Sequence, residues 1–250
     1  MKGQLTRDSI CGIELYQHKK GYRFSIDSVL LAHFTRITRK NRSVIDLGAG
    51  SGIIGLVLAR RYPWIRTTLV ELQEGLFELC LKNIALNSLQ DRVKAFNYDI
   101  SLINRGSFPQ IRHGSYDIVV TNPPFRQPGT GRISPHEERA LARHEMALSL
   151  EELFGAVRYL LKNRGRLFMI YHPFRLTEII RIMKENQLEL KRIRFVHPRP
   201  GMEANMVLIE AVKMGAVQLR VEPPLYIYED KDYTREVNDI FDYFSCKKSS

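Results

Sequence analysis

Four consecutive residues, Asn122-Pro123-Pro124-Phe125, combine groups suited to one kind of chemistry. An exocyclic amine on a flat group is a weak nucleophile because its lone pair is conjugated. Acceptors placed on its two protons favour a pyramidal nitrogen and aim the lone pair at an electrophilic carbon. The Asn122 side-chain oxygen and the Pro123 carbonyl are the candidate acceptors, and the prolines hold the backbone so that both point the same way. Phe125 offers a ring to stack on the flat face of the target. No strong general base is needed, since the nitrogen sheds its proton after it becomes positively charged. A proline-rich turn closing a strand is the plainer use of the same residues.

A second constellation is Asp46-Leu-Gly48-Ala-Gly50-Ser-Gly52, followed by Glu71. Glycines let a loop turn tightly and bring its backbone against a ligand with no Cβ in the way. Gly50-Ser-Gly52-Ile-Ile-Gly55 also satisfies G-x-G-x-x-G, with Glu71 nineteen residues beyond Gly52, so a nicotinamide cofactor is a rival reading. Asp46 argues against it. A carboxylate beside the loop repels a pyrophosphate and suits a ligand with an ammonium group. Hydride transfer also has no use for residues 122–125.

The elements around these residues read as an α/β fold, doubly wound on a mainly parallel sheet, because short apolar runs alternate with longer helical ones from about residue 43. Strands are expected at Ser43–Leu47, Arg66–Glu71, Val93–Asn97, Tyr116–Thr121 and residues 166–171, with a hairpin-like last pair at 188–196 and 205–212. That makes seven, the last antiparallel. Helices are expected at Ile53–Arg61, 72–87 (Leu72, Leu76, Leu79, Cys80 and Asn83 recur at helical spacing), 149–161 with a Ser149/Glu152 capping box, and 174–185. The two prolines must end the fourth strand. Residues 126–148, with Pro128, Gly129, Gly131 and Pro135, read as a lid. Before the core, residues 26–37 read as a helix capped by Ser25 or Asp27, with Val29, Leu30 and His33 partly buried. After it, residues 230–240 read as a short surface helix. The expected organisation is one domain: an N-terminal segment (1–40), a core (41–213) and a tail packed on it (214–250).

The chain has 250 residues, enough for a sizeable core without disulfide or metal, and a formal charge of +11. Cys11, Cys80 and Cys246 lie far apart, which favours a reducing, cytoplasmic setting. The start lacks the apolar core of a signal peptide and no long apolar run follows, so neither export nor a membrane is expected. The basic balance favours a polyanionic partner. From 156 to 199 there are eleven Lys or Arg against three acids, which reads as a polyanion-binding face. Arg126 and Arg132, close to Phe125, are the candidates for phosphates flanking the target. His172 and His197 precede prolines, and His136 and His144 lie among glutamates in the wrong order for H-E-x-x-H, so no metal site is expected. Trp64 reads as packing at a helix end.

Taken together, the Asp46 loop and Glu71 resemble motif I and the acidic second-strand end of class I S-adenosylmethionine-dependent methyltransferases, which have a Rossmann-like core. The resemblance implies that Gly48, Gly50 and Gly52 line the cofactor, that Asp46 sits near its amino acid end, and that Glu71 accepts from its ribose hydroxyls. It further implies Asp99 and Ile100 at the adenine, although an Asp after a strand also serves as a turn former. Residues 122–125 resemble the motif of amino-methyltransferases acting on adenine N6, guanine N2 or a glutamine amide, in which Asn122 also borders the cofactor. Tyr22-Arg-Phe-Ser-Ile-Asp-Ser28, the Arg199-Pro-Gly segment and the tail Pro224-Leu-Tyr-Ile-Tyr228 complete a resemblance, over nearly the whole chain, to the bacterial tRNA1(Val) adenine-N6-methyltransferases. It implies that Arg23, Phe24 and Asp27 close over the methionine part of the cofactor, that Arg199 meets nucleic acid, and that the acceptor is an adenosine beside the valine tRNA anticodon. A guanine-N2 or protein-glutamine enzyme, and an RNA-binding protein that keeps the cofactor without turnover, are the alternatives.

Overall fold

The computed structural model describes residues 5–19, 26–105, 110–124 and 148–245. It opens with an antiparallel hairpin that the sequence reading did not foresee, β1 (Leu5–Ile10) and β2 (Ile13–His18), in which Ile10 faces Ile13. Cys11 and Gly12 make the turn at φ 52° and 73°. A two-residue turn with both φ positive matches the twist of its strands, but Asn-Gly, not Cys-Gly, is its usual signature. Ile13, Leu15 and Gln17 alternate inward and are buried. Helix α1 (Ile26–Phe34) is shorter than the expected 26–37; it stops where the Thr35 hydroxyl turns back to the Leu31 carbonyl at 2.8 Å. Val29 and Leu30 are buried as expected, whereas His33 is exposed, edge-on to Tyr243.

The core follows as β3 (Ser43–Leu47), α2 (Ile53–Arg61), β4 (Arg66–Glu71), α3 (Glu74–Leu86), β5 (Val93–Asn97), β6 (Tyr116–Thr121), α4 (Leu150–Leu160), β7 (Leu161–Tyr171), α5 (Leu176–Glu185), β8 (Leu188–His197) and β9 (Met206–Lys213). Their order across the sheet is β8-β9-β7-β6-β3-β4-β5. Only β9 runs against its neighbours in this core, pairing antiparallel with β7 and β8. Both faces are covered, which is why these strands read as continuous apolar runs. Val44, Ile118 and Phe168 pack with α1, α2 and the hairpin; Ile45, Val119 and Leu167 pack with α4 and α5. The capping box that starts α4 is present, with Ser149 and Glu152 exchanging hydrogen bonds, a contribution of about 1 kcal/mol.

Strand β7 begins five residues earlier than expected. Leu161 pairs with Tyr116, and the register resumes only at Arg166 opposite Ile118, so residues 162–165 form an excursion in which Arg164 sits at φ 64°. Polar residues and a glycine read as a turn, and locally they are one. The tail lies along the free edge of β8 as β10 (Arg220–Val221) and β11 (Leu225–Tyr226), then forms a small hairpin, β12 (Tyr228–Glu229) with β13 (Asp232–Tyr233). Helix α6 (Arg235–Ser245) ends the described chain. It is more than a surface helix over 230–240: Val237, Ile240 and Phe244 are buried in the same core as α1.

Candidate functional site

Strand β3 lies between β4 and β6, and the chain leaves β3 toward one side of the sheet and β6 toward the other. Ligands of doubly wound sheets bind at the carboxyl ends of the strands at such a reversal. Asp46, Gly48, Glu71 and Asn122 all end up there. Leu47 is paired with Val70 and with Thr121, so the three strand ends are level.

The glycine loop is tied down from behind. Gly48 and Ala49 donate their N–H groups to the Val70 carbonyl at 2.9 and 3.0 Å. The Gly50 N–H donates to Glu71 Oε2 at 2.8 Å, and the Gln73 N–H donates to Oε1 at 2.9 Å. The Cys80 thiol donates to the Gly50 carbonyl at 3.1 Å, and Asn83 Nδ2 donates to the Ser51 carbonyl at 2.9 Å. Gly48 and Gly52 sit at φ 72° and 88°, where other residues are strained, but for different neighbours. A Cβ on Gly52 would meet Leu69 Cδ1 at 3.0 Å, whereas one on Gly48 would meet nothing within 4 Å. Gly52 is therefore a packing glycine, and Gly48 leaves an open cradle.

Asp46 is fully buried. Its Oδ2 accepts the Gly55 N–H at 3.1 Å, while Oδ1 has no hydrogen-bond partner among the described residues. Burial pushes its carboxyl up to about 7, against the lowering effect of the Gly55 hydrogen bond, and the neighbouring Glu71 charge raises it further. A buried acceptor without a donor costs about 1–3 kcal/mol. A cationic donor against Oδ1 would offset that cost, so the residues present fit a ligand with an ammonium end. Gly48 leaves room beside it, and Glu71, 5% exposed, ends the neighbouring strand with its carboxylate against the glycine loop.

Across the junction, the Thr121 hydroxyl donates to the Leu47 carbonyl at 2.9 Å and locks the end of β6 to β3. Asn122 follows, half-buried, then Pro123, buried, and Pro124, exposed. Asn122 Nδ2 donates to Ser28 Oγ at 3.5 Å, a long bond from the first turns of α1. That direction turns the carboxamide oxygen the other way, and among the described residues nothing donates to it. Asp27, also in the first turn of α1, is half-buried. Asp99 accepts the Ser101 N–H at 2.8 Å and starts a 3-10 turn, Ile100–Arg105, so it is a turn former. Ile100 is 7% exposed and packs into the core that holds Ile45 and Val70. Arg23, Phe24, Phe125, Arg126 and Arg132, and the lid reading of 126–147, lie outside the described residues.

Arg199 follows β8 at the same edge of the sheet as Asn122, three strands from β6, roughly 14 Å across. Its guanidinium donates twice to the Asp230 carbonyl, at 3.2 and 3.0 Å. The basic stretch 156–199 is not the open polyanion-binding face that its composition suggested. Arg192 is buried between Glu210 and Glu222, Arg166 also pairs with Glu210, Arg194 with Glu236 and Lys162 with Asp117. Arg175 and Arg181 pair within α5 or just before it, and Arg164 and Lys191 donate to the carbonyls of Met214 and Ala216. Folding brings in acids that a count along the sequence leaves out.

The roles of three residues that support the site, Asn83, Asn87 and Ser28, were missed. Asn83 was read only as a helical position, yet it is fully buried, and besides Ser51 it accepts the Tyr16 N–H at 2.7 Å and donates to the Tyr16 carbonyl. Asn87, one turn on, makes the same exchange with Glu14 of β2. The signal was present: an amide on the apolar stripe of α3 must find partners. Ser28 had no such signal. His172 caps a turn, and His197 Nδ1 lies 2.7 Å from the Met202 carbonyl. Trp64 packs edge-on to Tyr62, as expected.

Comparison with known proteins agrees with this geometry. The family model of the methyltransferase small domain matches residues 25–186. A tRNA1(Val) (adenine(37)-N6)-methyltransferase of Flavobacterium psychrophilum is 30% identical over 223 residues, covering 87% of this chain and 91% of the relative. One of Flavobacterium johnsoniae is 27% identical, covering 92% and 95%. Among solved structures, a predicted O-methyltransferase from Agrobacterium tumefaciens superposes with a TM-score of 0.69 at 22% identity, covering 88% of this chain and 98% of that one, a likeness of fold.

Proposed function

Because the chain belongs to the methyltransferase small domain family, we propose that it methylates the exocyclic N6 amine of an adenosine in tRNA, using S-adenosylmethionine. Its curated relatives, named for adenine 37 of tRNA1(Val), support that acceptor. The observation that carries the reading is the Asn122 carboxamide, held by Ser28 with its oxygen unclaimed among the described residues, one residue past the level of Leu47 and so just beyond the buried Asp46 carboxylate, whose Oδ1 lacks a described partner, at the strand reversal.

When bound, the cofactor supplies a methyl group on a positively charged sulfur. Asp46 would hold its ammonium, Glu71 its ribose hydroxyls, and Gly48 and Gly50 would let it lie against the backbone, while Gly52 seats the loop against Leu69, with Asp99 and Ile100 toward its base and Arg23, Phe24 and Asp27 over its methionine end. Asn122 Oδ1 and the Pro123 carbonyl accept the two protons of the adenine amine. The nitrogen lone pair is thereby turned out of conjugation and held in line. Phe125 stacks on the adenine, which must leave its own stack to reach the pocket. The nitrogen then loses a proton to water, so no side chain has to act as a base. Arg126, Arg132 and Arg199 are assigned to flanking phosphates; for Arg199 this requires exchange of its bonds to the Asp230 carbonyl.

Transfer of labelled methyl to tRNA lacking the modification, followed by nucleoside chromatography, tests the reading. Label is expected in N6-methyladenosine. Label in N2-methylguanosine or in protein would overturn the acceptor, and cofactor binding without transfer to any RNA would overturn the activity.

A further inference from the structure

The ion pairs of residues 162–199 leave the positive charge of the chain to be sought elsewhere. Between Asp46 and Glu71, and again between Asp27 and Asp46, there is no acidic residue, yet these stretches hold Arg36, Arg39, Lys40, Arg42, Arg60, Arg61 and Arg66. All but Arg61 are exposed. The fold gathers them at the amino end of the sheet, opposite the candidate site. Ser43 and Arg66, the first residues of β3 and β4, are paired, and the Arg66 N–H donates to the Arg42 carbonyl at 2.8 Å. Trp64 Nε1 donates to the Thr38 carbonyl at 3.2 Å and carries the Arg39 guanidinium 4.0 Å from its ring centre, so the two loops form one surface.

Acids at this edge already have cations of their own. Asp117 is held by Lys162 and by the N–H groups of Arg42 and Ser43, Glu222 by Arg192 and Arg36, and Asp91 by Arg92. Among the described residues no carboxylate lies within ion-pair distance of Arg39, Lys40, Arg42, Arg60 or Arg66. Five neighbouring cations without counter-charges repel one another unless a polyanion lies across them. A membrane surface would need apolar anchors beside the charge. The exposed large apolar residues of the described chain, such as Leu72, Phe174, Val217 and Leu219, lie outside both loops.

We infer that this amino-terminal edge is a second RNA-binding surface, at which Arg39, Lys40, Arg42, Arg60 and Arg66 hold tRNA phosphates remote from the methylated base. The inference rests on the tRNA reading above. Strand β3 spans five residues, so the surface stands roughly 15 Å from the glycine loop. It therefore acts on the affinity for tRNA and on its salt dependence, and leaves the chemical step alone.

The test is the triple variant Lys40→Gln, Arg42→Gln, Arg66→Gln, set beside a control of equal charge, Lys82→Gln, Arg158→Gln, Lys184→Gln. Binding of full-length tRNA is measured directly as salt is varied, together with KM and kcat for methyl transfer. For the first variant a loss of about tenfold in tRNA affinity is expected, with the slope of log affinity against log salt reduced by about 2 to 3. Cofactor affinity and kcat at saturating tRNA stay at wild-type values, and the control changes little. Unchanged affinity and slope, or an equal loss in the control, would overturn the inference. Loss of binding to anionic phospholipid vesicles with tRNA binding intact would assign the surface to a membrane instead. If the wild-type chain transfers no methyl to tRNA, the functional reading fails, and the binding comparison still decides this surface.

Discussion

In the half of the sheet built from β3, β4 and β5, the loop that faces the ligand is bonded at nearly every backbone group: to Val70, Glu71, Cys80 and, through Asn83, to the N-terminal hairpin. Across the junction, at the end of β6, the corresponding group is a single carboxamide with one long bond to Ser28 and an oxygen that nothing described here engages. The first half is shaped before its ligand arrives, and of the buried side-chain atoms left without a partner among the described residues, Asp46 Oδ1 is the one that carries charge at the ligand's side of the loop, in contrast to the neutral hydroxyls of Ser51 and Thr67. The second leaves its acceptor for the substrate to complete. Tight, preorganised contacts serve a ligand that is the same in every turnover, and an open acceptor serves a group that must be distinguished at the moment of reaction.

If the halves are separable in this way, Asn122→Ala gives the largest effect: kcat falls on the order of 10²- to 10³-fold with cofactor affinity unchanged. Single-turnover transfer and calorimetry together would show it. Next is Asp46→Asn, which keeps an acceptor for the Gly55 N–H and removes the charge. Cofactor affinity should fall by roughly 10- to 100-fold, the worth of a charge-assisted hydrogen bond, while the ligand-free protein melts higher at pH 8. The sign follows from the raised pKa. Between the ordinary carboxyl range and about 7, folded Asp46 holds a proton that the unfolded chain has lost, so stability falls as pH rises through that window.

The same titration makes cofactor affinity of the wild type fall as pH drops below about 7, by up to about tenfold per unit, because an ammonium ligand selects the ionised carboxylate. Asp46→Asn should flatten that profile. The smallest effect sharpens the comparison from behind. Asn83→Asp keeps the acceptor for the Tyr16 N–H and loses the donors to the Ser51 and Tyr16 carbonyls, so it should weaken cofactor binding several-fold without changing kcat at saturation. Asn87→Asp, which loses donors to the Glu14 carbonyl of the hairpin and to the Asn83 carbonyl within α3 but makes no bond to the glycine loop, should lower thermal stability and leave cofactor affinity alone.

The two regions also differed in how far the sequence exposed them. β3, α2, β4, β5 and β6 lie at the boundaries expected of them, since buried parallel strands and a glycine loop leave strong local signals. Asp46, Glu71 and Asn122 were legible for the same reason, as polar residues that end apolar runs. What was hidden is what depends on partners distant in sequence. Asn83 meets Tyr16 and Ser51 from the far side of α3, and Arg192 meets Glu210 and Glu222. The charge count over 156–199 failed for that reason, and the Cys11-Gly12 hairpin was missed because its turn lacks the usual residue.

The most direct test of separability is to measure cofactor affinity and single-turnover methyl transfer to tRNA in parallel for Asn122→Ala and Asp46→Asn. The expected result is a crossover: Asn122→Ala binds cofactor like the wild type and transfers almost nothing, while Asp46→Asn binds weakly yet regains near wild-type transfer at saturating cofactor. Joint loss of binding and transfer in both variants, or normal transfer by Asn122→Ala, would contradict the account.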